Sequence, residues 1–352
     1  MATLKDVAKA SGVSTATVSH VLHGRWDRVS DATRAKVMKA IRKLNYRPSP
    51  YRTRKGVPPS MNLAFILEEA EPSPLFSKDY FAKLLDGFFE EAWKRGYSVT
   101  VDVERVSIDG VQKVRHAFDG RCDGVAVMAP VIDSLLVAEL VERGVPVVVI
   151  GSDSQGKKVS TVDVDNVACG RMAVDHLAGL GHVRMAYVGR VADKSSSLER
   201  LEGVRTRIAE LGLPEPIVLD GVFSKASGYE MADRLVQIQG ADWPTAWICS
   251  NDEIAFGAAR RLNEAGIRIP EDVSLIGTDD TLVAQTATPP LTTLRQPLQR
   301  MGAEAARILA ERAARPDAPE EHLVFSVELV QRASTGPARA VKAPRPVAHA
   351  KR

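Results

Sequence analysis

The chain is poor in cysteine. Its three thiols, Cys122, Cys169 and Cys249, stand far apart. That spacing makes neither a disulfide framework nor a metal-ligand cluster, and the expected compartment is a reducing cytoplasm. No apolar run approaches the roughly 18 residues that a membrane-spanning helix requires, so no membrane partner is expected. The opening MATLKDVAKA turns polar within five residues, and no cleaved signal peptide is expected. Histidines are few. His116, His176 and His182 lie in different segments and make no close metal pair; His176 and His182 read as structural. The stretch GSDSQGKK (151–158) approaches a phosphate-binding loop, but Lys158 stands where a Ser or Thr would hold magnesium, and VSTVDVD continues as a strand. No nucleophile elbow or spaced Ser-His-Asp set stands out. The expectation from these absences is a protein without cofactor or metal, and not an enzyme.

At 352 residues the chain is long enough for two or three domains. Net charge is only +3, but residues 1–60 hold 13 Lys and Arg against Asp6, Asp27 and Asp31. The tail from Gly336 adds five basic residues and no acid, so the segment between carries −12. A basic module on an acidic body suggests that the first part meets a polyanion.

Three short helices are predicted in the first 45 residues. Leu4, Val7 and Ala8 share one face of the first, and Gly12 suits the turn that follows. Ser14 is a good N-cap for the second, whose Val18, Val21 and Leu22 point inward. Ser30 or Asp31 caps the third, which buries Val37, Ile41 and Leu44. Two short helices joined by a Gly turn and braced by a third form a helix-turn-helix. In STATVSH the outward Thr15, Ala16 and His20 suit base edges: a hydroxyl, a methyl for thymine, a donor for guanine. Ser14, Thr17, Ser19, His23 and Arg25 suit phosphates, which position without reading sequence. A protein-binding three-helix module is the plain alternative, which the basic surplus disfavours.

The stretch TLKDVAKASGVSTATVSHVL, followed by VSDATRAKVMKAIRKLNYRPS, resembles the DNA-binding domain of the LacI/GalR family of bacterial repressors. The resemblance implies a homodimer on a pseudo-palindromic double-stranded operator, and it adds Thr3 to the DNA-contacting set. One departure is HGRWDR, where the family usually has Asn-Gly and a shorter loop. Another is the connector SPYRTRKG, which places Lys55 where relatives carry a minor-groove Leu. Arg52, Arg54 and Lys55 then read as minor-groove contacts made through charge.

From Met61 onward, apolar runs such as NLAFIL, GVAVMAP, VPVVVIG, TAWICS and VSLIGTD alternate with helical patterns over 80–95, 133–143, 166–180, 198–211, 228–238 and 253–265. That alternation predicts parallel sheets covered on both faces, in two lobes, with ligand bound at the strands' carboxyl ends. Asp220, Asn251, Asp252, Asp279 and Asp280 stand at such ends, suited either to cap the next helix or to touch ligand. DNVACGRMAVDHLAGLGHVRMAYVG, SNDEIAFGAARRLNEAGIRIPEDVSLIGTDD and PPLTTLRQP are similar to the same family's periplasmic-binding-protein-like effector domain. Carried over by position, the resemblance puts Tyr80, Phe81, Lys194, Ser196, Arg200, Phe223, Asn251, Asp279 and Gln296 around a small-molecule effector, a sugar or nucleobase-related metabolite. Arg200 and Asp279 are the donor fork and fixed acceptor expected to orient it.

The expected organisation is a helix-turn-helix domain over 1–47, a hinge over 48–60, a two-lobed effector-binding and dimerisation domain over 61–335, and a disordered basic tail over 336–352. That tail has no Leu heptad to build a tetramer. The function this implies is ligand-responsive, sequence-specific repression of transcription. The rival is a sugar-binding enzyme or sensor carrying a basic DNA-binding arm.

Overall fold

The structure is a computed structural model, which describes residues 4–22, 25, 28–44, 60–69, 79–105, 122–142, 144–238, 243–315 and 317–338. Thr3, His23, Arg52, Arg54 and Lys55, with the rest of the connector through residue 59 and the tail beyond 338, lie outside the described residues.

The basic module contains α1 (Leu4–Ser11), α2 (Thr15–Leu22) and α3 (Asp31–Lys43). Helix α1 stops because Gly12 turns to φ +69, a conformation that a residue with a Cβ resists. Ser14 Oγ accepts from Thr17 N at 3.0 Å and so caps α2, as its place in the sequence predicts. For α3 the cap is Ser30, which accepts from Thr33 N at 3.3 Å. Val7, Ala8, Val18, Val21, Val37 and Ala40 close a small core, with Ile41 and Leu44 half-buried beside it.

The body follows as β1 (Asn62–Glu69), α4 (Asp79–Lys94), β2 (Ser98–Arg105), β3 (Gly124–Met128), α5 (Leu135–Glu142), β4 (Val147–Ile150) and β5 (Ser160–Val164). Next come α6 (Asn166–Gly179), β6 (Met185–Arg190), α7 (Ser195–Glu210), β7 (Ile217–Asp220), α8 (Lys225–Leu235), β8 (Ala246–Cys249), α9 (Asp252–Glu264) and β9 (Ser274–Asp279). The chain continues through α10 (Leu282–Thr286), β10 (Thr292–Arg295), α11 (Leu298–Ala314), β11 (His322–Phe325) and β12 (Glu328–Val330). Two six-stranded sheets result, ordered β11-β5-β4-β3-β1-β2 and β12-β10-β9-β8-β6-β7. Every pairing is parallel except β12 on β10. Strands β3, β4 and β8 are buried at every residue, which is why they read as unbroken apolar runs.

The chain passes between the lobes three times: from β5 into α6, from β10 into α11, and from β11 to β12. Helix α11 packs back on α4 and the first sheet. It lies outside the helices expected from the sequence, although Leu298, Met301, Ala305, Ile308 and Leu309 have helical spacing and are all buried. The expected helix at 198 begins three residues earlier, at Ser195, because consecutive serines hide the start of α7. Strands β10 (TTLR), β11 (HLVF) and β12 (ELV) carry polar residues, and β11 and β12 are only partly buried, so they do not stand out as apolar runs.

His176 and His182 fasten the end of the described chain to the second lobe. His176 Nε2 lies 2.9 Å from Thr335 Oγ1. His182 Nε2 donates to Gly336 O at 3.1 Å, which leaves Nδ1 to accept from Thr245 Oγ1 at 2.9 Å. Burial lowers the pKa of His182, the Gly336 carbonyl partly opposes this, and the His176 charge adds to it. A native imidazole held neutral binds fewer protons than the unfolded one, so it weakens the fold as pH falls below about 6.5. The melting-temperature advantage of the native protein over His182→Gln should therefore shrink between pH 7.5 and 5.5. A constant or widening difference would show that His182 is not held neutral.

Candidate effector pocket and nucleic-acid face

The carboxyl ends of the parallel strands of both sheets border one open pocket. The first lobe contributes Asp79, Tyr80 and Phe81 from the start of α4, Ala129 after β3 and Gly151 after β4. From the second lobe come Ser196 and Arg200 on α7, Phe223 after β7, Asn251 and Glu253 around the start of α9, Asp279 at the end of β9, Thr281 after it, and Gln296 after β10. Eight of the nine effector-binding candidates line it. Lys194 does not: its ammonium donates to Ala129 O at 2.6 Å, across the lobes at the rim. Asp79, Ala129, Gly151, Glu253 and Thr281 escaped sequence reasoning, because none of them carries a periodic or motif signal.

Tyr80 and Phe81 meet edge to face, with ring centroids 5.6 Å apart. Gly151 takes φ +71, which favours glycine, and a Cβ there would stand 3.3 Å from Tyr80 Oη, a tight contact. Asp279 holds φ +119 and Asp280 φ +54, so backbone strain is concentrated at the end of β9.

The polar groups are oriented before any ligand arrives. Asn251 Oδ1 caps α9 by accepting from Ile254 N at 3.0 Å, which leaves its Nδ2 as a donor. Gln296 Nε2 donates to Asp279 Oδ1 at 2.7 Å, leaving Gln296 Oε1 and Asp279 Oδ2 as acceptors. Arg200, only 5% exposed, donates from Nη1 to Ser250 O and from Nη2 to Asn166 Oδ1 at 2.8 Å. Its Nε is buried and has no hydrogen-bond partner among the described residues. Burial holds the Asp279 carboxyl well above the usual carboxylate range; the Asp252 charge adds to this, while Arg200 and Gln296 oppose it.

Three other strand-end acids serve the scaffold and do not line the pocket. Asp252, fully buried, accepts from Thr281 N at 2.8 Å and Thr293 Oγ1 at 2.7 Å. Asp280 pairs with Arg295 and Arg332, and Asp220 with Arg190. Among the described residues, no group of His, Cys, Asp or Glu could hold a metal ion, and no helix is long and apolar enough to cross a membrane.

On the basic module, Thr15 and Ala16 are exposed and His20 is half-exposed on α2. Ser14 and Thr17 hydroxyls lie 2.9 Å apart at the cap, Ser19 is half-buried, and Arg25 is exposed just past the helix. The structure thus brings a short helix with a small, hydrogen-bonding face to the surface of a module rich in Lys and Arg.

Residues 3–49 match the model of bacterial regulatory proteins of the lacI family, and residues 174–335 match a periplasmic binding protein-like domain. The chain is 31% identical over 345 residues to the HTH-type transcriptional repressor PurR of Vibrio atlanticus, covering 95% of this chain and 98% of that one. STATVSH also resembles the recognition helix of the purine repressor. Among solved structures, the transcriptional regulator CelR in complex with cellobiose is 31% identical, with a TM-score of 0.73 over 95% of this chain and 100% of that one. The lac repressor dimer bound to operator and the anti-inducer ONPF is 26% identical, with a TM-score of 0.69 over 95% and 99%. An N-terminal helix-turn-helix followed by a two-lobed α/β body with its pocket between the lobes places the chain in the lacI family of bacterial regulatory proteins, as a ligand-responsive DNA-binding repressor.

Proposed function

We propose that the protein works in the cytoplasm as a homodimer, binds a pseudo-palindromic operator of a metabolic operon, and responds to an uncharged, hydroxyl-bearing effector such as a sugar. The observation that carries this reading is the fixed alternation of donors and acceptors in the pocket. Asn251 Nδ2 and the Arg200 guanidinium donate, Gln296 Oε1 accepts, and Ser196 does both. A hydroxyl group is itself donor and acceptor, so a polyol satisfies such a set; Tyr80, Phe81 and Phe223 can cover its apolar face. The engagement of Asp252, Asp280 and Asp220 in scaffold contacts supports recognition without turnover.

The test has two arms. A thermal-shift screen of neutral sugars, nucleobases and sugar phosphates should find stabilisation among the neutral compounds. Stabilisation by sugar phosphates alone, or conversion of a bound sugar at stoichiometric protein, would overturn the reading. In the second arm, operators selected from random duplexes should show two half-sites about one helical turn apart and steep loss of affinity with salt.

The side chain of His20 should read one base pair in each half-site. In fluorescence anisotropy, His20→Ala should relax preference at that position by roughly 1–3 kcal/mol. Equal loss on selected and random duplexes would assign His20 to phosphate contact instead.

A further inference from the structure

We propose that Asn166 ties the pocket's arginine to the first crossover between the lobes, so that a contact made on Arg200 is felt at the hinge. The regulatory meaning of this link rests on the pocket being the effector site, but its test needs neither effector nor DNA.

Asn166 is the first residue of α6, two positions beyond the end of β5, and is 1% exposed. Its amide is used on both sides. Nδ2 donates to Asp163 Oδ2 at 3.2 Å and to Val164 O at 3.3 Å, both at the end of β5 where the crossover begins. Oδ1 accepts from Arg200 Nη2 at 2.8 Å. The partners fix the amide's orientation, since Asp163 and Val164 offer acceptors and the guanidinium offers only donors. Asp163 is itself bound to the backbone through Val164 N at 2.7 Å.

The guanidinium depends on this contact. Among the described residues its Nε has no partner, so its place is set by Ser250 O on one side and Asn166 Oδ1 on the other. Removing Asn166 leaves a buried cation held at one point.

The helices that carry the two residues cannot slide independently. A Cβ on Gly170 of α6 would stand 2.1 Å from Arg200 O, and one on Gly203 of α7 would stand 2.0 Å from Val167 O. Backbones in such close contact shift together or not at all. A displacement of Arg200 therefore reaches the crossover by two routes, through the amide and through the interlocked helices. The amide is the one that can be changed without altering helix packing.

Hydrogen exchange of the full-length protein, followed by mass spectrometry, tests the link. Asn166→Ala should speed exchange roughly tenfold at 163–168 and also at 198–204, where α7 carries Arg200, as loss of a buried hydrogen bond to a charged group implies. Arg200→Lys, which removes the same bond from the other end, should loosen 163–168 as well and keeps the test open if the alanine variant misfolds. Exchanging the partners, Asp163→Asn with Asn166→Asp, should bring 198–204 back toward native rates, because the new carboxylate accepts from Arg200, while the bond to Val164 O is lost and 163–168 stays faster. Burial pushes the Asp163 carboxyl up to about 7, with Val164 N and Arg200 opposing it and Glu199 adding to it, so a neutral side chain suits that position. Loosening confined to 163–168 in Asn166→Ala would reduce Asn166 to a local brace and overturn the proposal. So would exchange at 198–204 in the double variant as fast as in Asn166→Ala. Either result leaves the effector reading standing, and an empty effector screen would leave this one standing.

Discussion

Arg200→Met should leave operator binding intact and weaken the effector by about 100-fold or more. Hydrogen bonds from a charged donor are worth about 1.5–3 kcal/mol each, and 1.4 kcal/mol is a factor of ten, so losing two such bonds to ligand suffices. Methionine keeps much of the buried stem, which separates the effect from a cavity. The substitution also leaves Ser250 O and Asn166 Oδ1 without their donor, and each unsatisfied buried acceptor costs about 1–3 kcal/mol. A lower melting temperature is therefore expected together with the affinity loss. The measurement pairs calorimetric titration of whichever screened compound stabilises the native protein with anisotropy on the selected operator. An effector affinity within a factor of three of native would remove Arg200 from the binding set. A loss of operator binding equal to the loss of effector binding would mean that the lobes, and not the ligand contact, were damaged.

How far such sites can be read from sequence depends on what each residue answers to. The basic module was legible because its signals are local. Ser14 caps α2 within one turn, Gly12 takes φ +69 directly after α1, and Val18 and Val21 are buried by helical periodicity alone. The parallel strands were legible because burial on both faces leaves them almost purely apolar. Pocket residues at strand ends, Asn251, Asp279 and Gln296 among them, were reached through family resemblance, and the structure brings them to one cavity. Sequence alone could not separate Asp279, which lines the pocket, from its neighbour Asp280, which pairs with Arg295 and Arg332. Adjacent residues on a strand face opposite ways, and the left-handed φ values at both positions set their final directions. Lys194, placed at the cleft by family resemblance, stands outside the pocket lining because its long stem carries the ammonium to the Ala129 carbonyl of the other lobe. Asn166 gave no signal, because its importance lies in joining Asp163 and Val164 beside it to Arg200, 34 residues away.

The largest stability loss is expected from the glycines where α4 crosses α11. A Cβ on Gly87 would stand 1.8 Å from Gln299 O, and one on Gly302 would stand 1.9 Å from Leu84 O, with Phe88 N at 2.9 Å. These neighbours are backbone atoms inside helices, so no side-chain rotation relieves the clash. Gly87→Ala should therefore cost about 3 kcal/mol or more, since overpacking alone costs roughly 1–3 and here the helices themselves must separate. Gly212→Ala provides the control. That residue has φ +64 with open space where a Cβ would sit, so it should carry only the left-handed penalty of about 1–2 kcal/mol. Urea denaturation of the full chain compares the two. The double variant, Gly87→Ala with Gly302→Ala, should cost clearly less than the sum of the singles, because once one methyl has forced the helices apart the second finds part of its space already made. Helix α4 begins with Asp79, Tyr80 and Phe81, so the same separation should blunt effector binding. Full additivity, or a Gly87→Ala loss no larger than that of Gly212→Ala, would mean that α4 and α11 are not in the close contact that seats the pocket's aromatic wall.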